Sequence, residues 1–160
     1  MRRIRVIIGL VCAFVLAGCE QENNVPSYPV YAVIDTRTGA FVHFQPTALN
    51  SYVLITRDGY FLNGVFAQPT GAMDAWGYGG LLCFVSINGY DAYDLACPYC
   101  AKLGRRQPCD IDGMFAICPH CGEQYDLTSG TAAPQKGLAR EPMKRLNIQN
   151  ADGKLTLSQR

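Results

Sequence analysis

Leu81-Leu82-Cys83-Phe84-Val85-Ser86-Ile87, followed at once by Asn88-Gly89, is an apolar run rich in strand-forming residues and closed by a turn dipeptide. It reads as a strand ended by a tight turn. Two further runs have the same character, Val30-Tyr31-Ala32-Val33-Ile34 and Tyr52-Val53-Leu54-Ile55-Thr56. Turn signals at Arg57-Asp58-Gly59, Thr128-Ser129-Gly130 and Asp152-Gly153 punctuate the rest of the chain. Around the last of these, Leu146 and Ile148 alternate with polar residues before the turn, and Leu155 and Leu157 after it, which predicts a hairpin with one buried face. No long stretch keeps a helical period. The expectation is an all-β fold, a small antiparallel sandwich or barrel, formed by one domain over residues 30–160.

Composition agrees with that reading. The chain has 160 residues, 49% hydrophobic and 17% charged, with a formal net charge of +1, which excludes a disordered chain. Removing Arg2, Arg3 and Arg5 takes the charge from +1 to −2, so the remaining domain has no electrostatic reason to bind nucleic acid. No internal repeat is visible. Eight cysteines and sixteen glycines are the unusual counts.

The N-terminus reads as an export signal. Three arginines precede an apolar run over residues 6–16, which is too short to span a bilayer as a mature helix, and Leu16-Ala17-Gly18-Cys19 follows. This tetrapeptide resembles the lipobox of bacterial lipoproteins. The resemblance implies a signal peptide over residues 1–18, cleavage before Cys19, and acylation of the Cys19 thiol and new amino terminus. Cys12 is then lost with the signal. Each buried CH₂ of the acyl chains contributes about 0.8 kcal/mol to membrane anchoring. Residues 19–29, polar and ended by Pro26 and Pro29, read as a lipidated tether holding the domain off the membrane. Glu20 after the lipidated cysteine resembles outer-membrane sorting, so the expected location is the bacterial envelope, outside the cytoplasm.

Cys97-Pro98-Tyr99-Cys100 and, after seventeen intervening residues, Cys118-Pro119-His120-Cys121-Gly122 fit the spacing of a four-cysteine metal site. Each knuckle aims two thiolates at one point, and together they supply a tetrahedral S₄ set suited to zinc, iron or an iron–sulfur cluster. Two disulfides are the alternative use of these four residues in an oxidising compartment. A thioredoxin-like redox pair lacks its βαβ context here.

The chain from Asp94-Leu95-Ala96-Cys97 through Cys118-Pro119-His120-Cys121-Gly122-Glu123-Gln124-Tyr125-Asp126-Leu127-Thr128-Ser129-Gly130 resembles the two cluster-binding loops of Rieske domains. The resemblance extends to Pro142-Met143-Lys144-Arg145-Leu146 and the Asp152-Gly153-Lys154-Leu155 hairpin, about half the chain in all. It implies a small antiparallel β protein carrying a [2Fe–2S] cluster for electron transfer. The ligands depart from that family, whose loops pair Cys with His. Tyr99 occupies the first histidine position and Cys121 the second. A cluster on this chain would by analogy use Cys97 and Cys118 on one iron, and Cys100 and Cys121 on the other, at a lower, ferredoxin-like potential. A mononuclear iron or zinc ion on the same four sulfurs is the other reading.

The remaining cysteines are Cys83, inside the apolar run, and Cys109, between the knuckles, where the two are candidates for a disulfide or for free thiols. His120 fills the variable position of its knuckle and is also a candidate pH-sensitive group beside the ligands. His43, in Phe41-Val42-His43-Phe44, reads as part of a strand face and carries no assigned role. Two functions compete. One is a membrane-tethered electron-transfer or redox accessory serving an envelope partner. The other is a non-redox envelope lipoprotein whose Cys₄ zinc site stabilises a partner-binding β domain. Intrinsic catalysis is not expected, because no nucleophile elbow, H-E-x-x-H or phosphate loop is present in the sequence.

Overall fold

Strand β6 (Leu81–Ser86) is buried along its whole length, and its alternating side chains enter two different cores. Leu81, Cys83 and Val85 point to one side, and Leu82 and Phe84 to the other. This is why the run shows no polar alternation in sequence, although it belongs to an antiparallel sheet. The computed structural model describes residues 23–160. Cys12, Cys19, the signal peptide and the first residues of the tether lie outside that span.

β6 sits in a five-stranded antiparallel sheet with β2 (Tyr52–Thr56), β3 (Gly59–Leu62), β4 (Val65–Ala67) and β7 (Gly89–Asp94), in the order β4-β3-β2-β6-β7. A four-stranded sheet, β12-β13-β1-β5, covers one face. It is built from β1 (Val30–Asp35), β5 (Met73–Trp76), β12 (Asn147–Ala151) and β13 (Lys154–Ser158). Ala32, Ile34, Leu155 and Leu157 from this sheet meet Val53, Ile55, Leu81 and Val85 in the sandwich core. The other face is covered by a third sheet of short strands, ordered β11-β10-β9-β8: β8 (Asp110–Asp112), β9 (Phe115–Ile117), β10 (Gln124–Asp126) and β11 (Ala133–Lys136). Leu82, Phe84 and Tyr93 from the central sheet pack there against Ala116, Tyr125 and Leu127. The fold is therefore all-β and antiparallel, as expected, with two sheets forming the sandwich and a third added as a smaller layer.

The C-terminal hairpin forms in the expected register. Ile148 lies opposite Leu157 and Asn150 opposite Leu155, and Asp152 and Gly153 both take positive φ at the two-residue turn. His43 departs from its expected strand. Phe41 and Phe44 are both fully buried and three residues apart, which suits the three-residue period of the 3₁₀ turn Gly39–His43 and leaves His43 exposed.

The tether also differs from its expected form. Its described part, residues 23–29, is docked on the domain. Val25 is buried against Ala96, Ala101 and Tyr78, and its carbonyl accepts a hydrogen bond from Lys144 Nζ at 3.2 Å.

Among the described residues, no helix is long and apolar enough to cross a membrane. Among the described residues, one buried side-chain polar atom, the Tyr93 hydroxyl, has no hydrogen-bond partner. Burial raises its pKa well above the usual phenol range. An orphaned hydroxyl costs more than the apolar group that would replace it. Tyr93→Phe is expected to raise unfolding stability by about 1 kcal/mol, read as a higher denaturant midpoint at unchanged slope. A loss of stability would show that the hydroxyl has a partner.

Candidate metal centre

Both knuckles grow from strand ends at one end of the third layer. After β7, Leu95 and Ala96 lead to Cys97, whose extended backbone caps a single helical turn, Pro98–Lys102, with Pro98 at its first position. Proline suits this place, since its missing N–H would have no intrahelical acceptor there. The turn brings Cys100 beside Cys97. The second knuckle is the loop of the β9–β10 hairpin. It closes through Cys118 N–H to the Glu123 carbonyl at 2.8 Å and Gly122 N–H to the Cys118 carbonyl at 2.9 Å, with Gly122 at positive φ.

All four predicted ligands converge. The sulfurs of Cys97, Cys100, Cys118 and Cys121 lie within 4.8 Å of one another. Cys97 Sγ is 3.7 Å from Cys121 Sγ, and Cys100 Sγ is 3.7 Å from Cys118 Sγ and 3.6 Å from Cys121 Sγ. None is in a disulfide. A tetrahedron of thiolates around one ion with metal–sulfur bonds of about 2.3 Å has edges of about 3.8 Å, so the observed separations match a single-ion ligand set.

The surroundings of these sulfurs are polarised. Cys97 Sγ lies 3.5 Å from the Tyr125 hydroxyl and 3.7 Å from Cys121 Sγ, with the Cys109 thiol and the backbone N–H of Cys100 beside it. Led by the Cys109 thiol, these lower the Cys97 thiol to about 4 against the opposing effect of burial. Burial pushes Cys121 up to about 12, although the Glu123 N–H donates to its sulfur. Cys100 is raised as well, by burial and then by its sulfur neighbours. Cys97 thus ionises ahead of Cys100 and Cys121, which need a cation beside them to follow.

Sequence reasoning missed the role of Cys109. Residues 107–109 return antiparallel to residues 95–97, through Cys97 N–H to the Gln107 carbonyl at 2.8 Å and Cys109 N–H to the Leu95 carbonyl at 2.9 Å. This return places the buried Cys109 against the metal ligands. The candidate Cys83–Cys109 disulfide is therefore corrected. Both are free thiols, and Cys83 lies in the sandwich core whereas Cys109 lies in the metal-side core, with the central sheet between the two. His120 occupies the variable position of the second knuckle. It is exposed, and its Nε2 lies 2.8 Å from Arg105 Nη1, so it faces Arg105 across the two knuckles and accepts that donor's hydrogen bond.

Two buried carboxylates hold the loops in place. Asp94 accepts N–H groups of Tyr78 (2.6 Å), Gly79 (2.8 Å) and Ala96 (3.0 Å), fixing the approach to the first knuckle. Gly79 packs so tightly on Ala96 that a Cβ there would overlap the Ala96 backbone. Glu123 accepts N–H groups of Leu138 (2.5 Å) and Ala139 (2.8 Å), buckling a strap over residues 137–142 beside the second knuckle. Gly137, at φ +111°, is the residue that lets the strap cross this carboxylate. No motif in the sequence marked Glu123, because its partners are backbone groups about fifteen residues away.

No protein-family model and no curated protein matches this chain. Solved structures do. One, described as a complex of reduced oxygenase and oxidized ferredoxin in carbazole 1,9a-dioxygenase, aligns at TM-score 0.44 and 11% identity, over 81% of this chain and 93% of that one. Another, the Sphingomonas yanoikuyae B1 ferredoxin, aligns at TM-score 0.41 and 16% identity, over 72% and 94%.

Two substitutions test the site. Cys118→Ser is expected to abolish stoichiometric metal binding, measured by elemental analysis of the purified protein; full retention would refute the four-sulfur assignment. Glu123→Ala leaves two partly buried N–H groups without their acceptor, and is expected to lower stability by about 1 kcal/mol and speed thiol-reagent attack on Cys121.

Proposed function

We propose that this chain is a lipid-anchored envelope protein whose four cysteines hold a single iron ion for electron transfer. The observation that carries the single-ion reading is the sulfur spacing of 3.6 to 3.7 Å, with every pair within 4.8 Å. A two-iron cluster divides its thiolates between two metals and so spreads them farther apart than one ion does. This spacing supports the single ion over the two-iron cluster.

A single iron on four thiolates supplies a one-electron ferric–ferrous couple. The protein's own contribution is electrostatic. Cys97 Sγ has the Tyr125 hydroxyl at 3.5 Å as a donor, and a donor at a ligand sulfur favours the more negative, reduced state. Cys121 is the ligand residue that is partly exposed, which sets the closest approach of a partner to the centre. The Leu16-Ala17-Gly18-Cys19 sequence supports the anchor, and the second loop's resemblance to Rieske domains supports the redox assignment.

The test is the visible spectrum and metal content of the full chain purified anaerobically after growth with iron and zinc. One iron per chain, with visible charge-transfer bands bleached by dithionite and a lower potential in Tyr125→Phe, is the expected result. A colourless protein holding one zinc would overturn electron transfer, and two irons with inorganic sulfide would overturn the single ion.

A further inference from the structure

The described chain begins at the metal end of the molecule. Asn23 Nδ2 donates to the Pro142 carbonyl at 2.9 Å, Asn24 N–H donates to Glu141 Oε2 at 3.1 Å, and the Asn24 side-chain amide bonds the same carboxylate. Val25 is buried between the first-knuckle helix and Tyr78. The arm therefore leaves the domain between that helix and the strap. Cys19 precedes Asn23 by four residues, so their α-carbons are at most about 14 Å apart.

The surface around this exit is both apolar and basic. A cavity of about 140 Å³ opens between the helix, the strap and the arm, lined by Asn24, Tyr99, Lys102, Leu138 and Arg140 among others. Beside it, Leu103 and Leu138 are 64% and 74% exposed. Lys102, Arg105 and Arg140 are exposed cations on the same two segments. The nearby carboxylates are engaged, Glu141 with Asn24 and Glu123 with the strap. Large aliphatic side chains projecting among exposed cations match the interface of an anionic bilayer, where the alkyl groups enter and the cations meet headgroup phosphates.

We infer that this patch rests on the anionic lipid surface to which Cys19 is anchored, so that the metal end faces the bilayer. The inference rests on the lipid-anchor reading. It replaces a domain held away from the membrane with one lying on it, metal end down, and it places the redox partner at or within the membrane. Leu103 and Leu138 insert, while Lys102, Arg105 and Arg140 bind phosphate groups around them.

The experiment uses the acylated, metal-loaded full chain on two kinds of vesicle, phosphatidylcholine alone and phosphatidylcholine with phosphatidylglycerol, read by amide hydrogen exchange. Segments 102–106 and 137–141 are expected to exchange several-fold more slowly on the anionic vesicles, with the far hairpin turn at Asn88 unchanged. A second measurement removes the anchor with Cys19→Ser and follows partitioning onto the anionic vesicles. Lys102→Ala and Arg140→Ala are each expected to weaken it about fivefold, and Lys154→Ala, in the remote C-terminal hairpin, to leave it unchanged. Capture by both vesicles with identical exchange patterns, or equal partitioning of all variants, would overturn the docking while leaving the anchor intact, and would assign the patch to an acidic protein. Absence of acyl mass on Cys19, with no capture by either vesicle, would overturn the anchor itself and the docking with it.

Discussion

Four sulfurs within 4.8 Å of one another, most of them buried, form an arrangement that only a cation makes comfortable. As thiolates they repel through a poorly screened interior. As thiols they give up the charge that binds metal. Among the thiols, Cys97 is lowered and so ionises most readily, while burial raises Cys100 and Cys121. A bound ion removes the conflict and ties residues 97–100 to residues 118–121, so metal affinity becomes folding stability, on the order of 10 kcal/mol for structural sites. Much of the surrounding structure serves this convergence. Asp94 sets the approach to one knuckle, Glu123 clamps the strap beside the other, and the Tyr125 hydroxyl meets the sulfur that ionises first.

The convergence needs a stiff platform, and the central sheet provides it. β6 and β7 separate two cores, with Cys83, Val85 and Ala92 on the sandwich side and Leu82, Phe84 and Tyr93 on the metal side. Neither face can shift without disturbing close-packed neighbours. The first knuckle leaves the end of β7, and the second is the loop of a hairpin packed on the same layer, so both inherit the sheet's rigidity. An electron-transfer site benefits from this, because a ligand set that stays fixed between oxidation states needs little reorganisation.

Much of this was legible in the sequence. The runs at residues 30–34, 52–56 and 81–87 became β1, β2 and β6 within a residue of their bounds, because strand propensity and tertiary burial agree there. The four ligands were legible because a C-P-x-C knuckle is a local structure and its spacing survives folding. What escaped was non-local. Cys109 meets Cys97 only because residues 107–109 return along residues 95–97, and Glu123 finds its partners in a strap about fifteen residues on. The docked arm escaped because Asn23 and Asn24 read as solvated linker residues, whereas their amides bond Pro142 and Glu141. His43 was misplaced because a period of three over four residues looks like the alternation of a strand end.

The most direct test of the central claim is the X-ray absorption fine structure of the metal-loaded protein at the metal edge. The account predicts one shell of four sulfurs at about 2.3 Å and no scattering from a second metal. A short metal–metal vector, or nitrogen or oxygen in the first shell, would contradict a single ion held by Cys97, Cys100, Cys118 and Cys121.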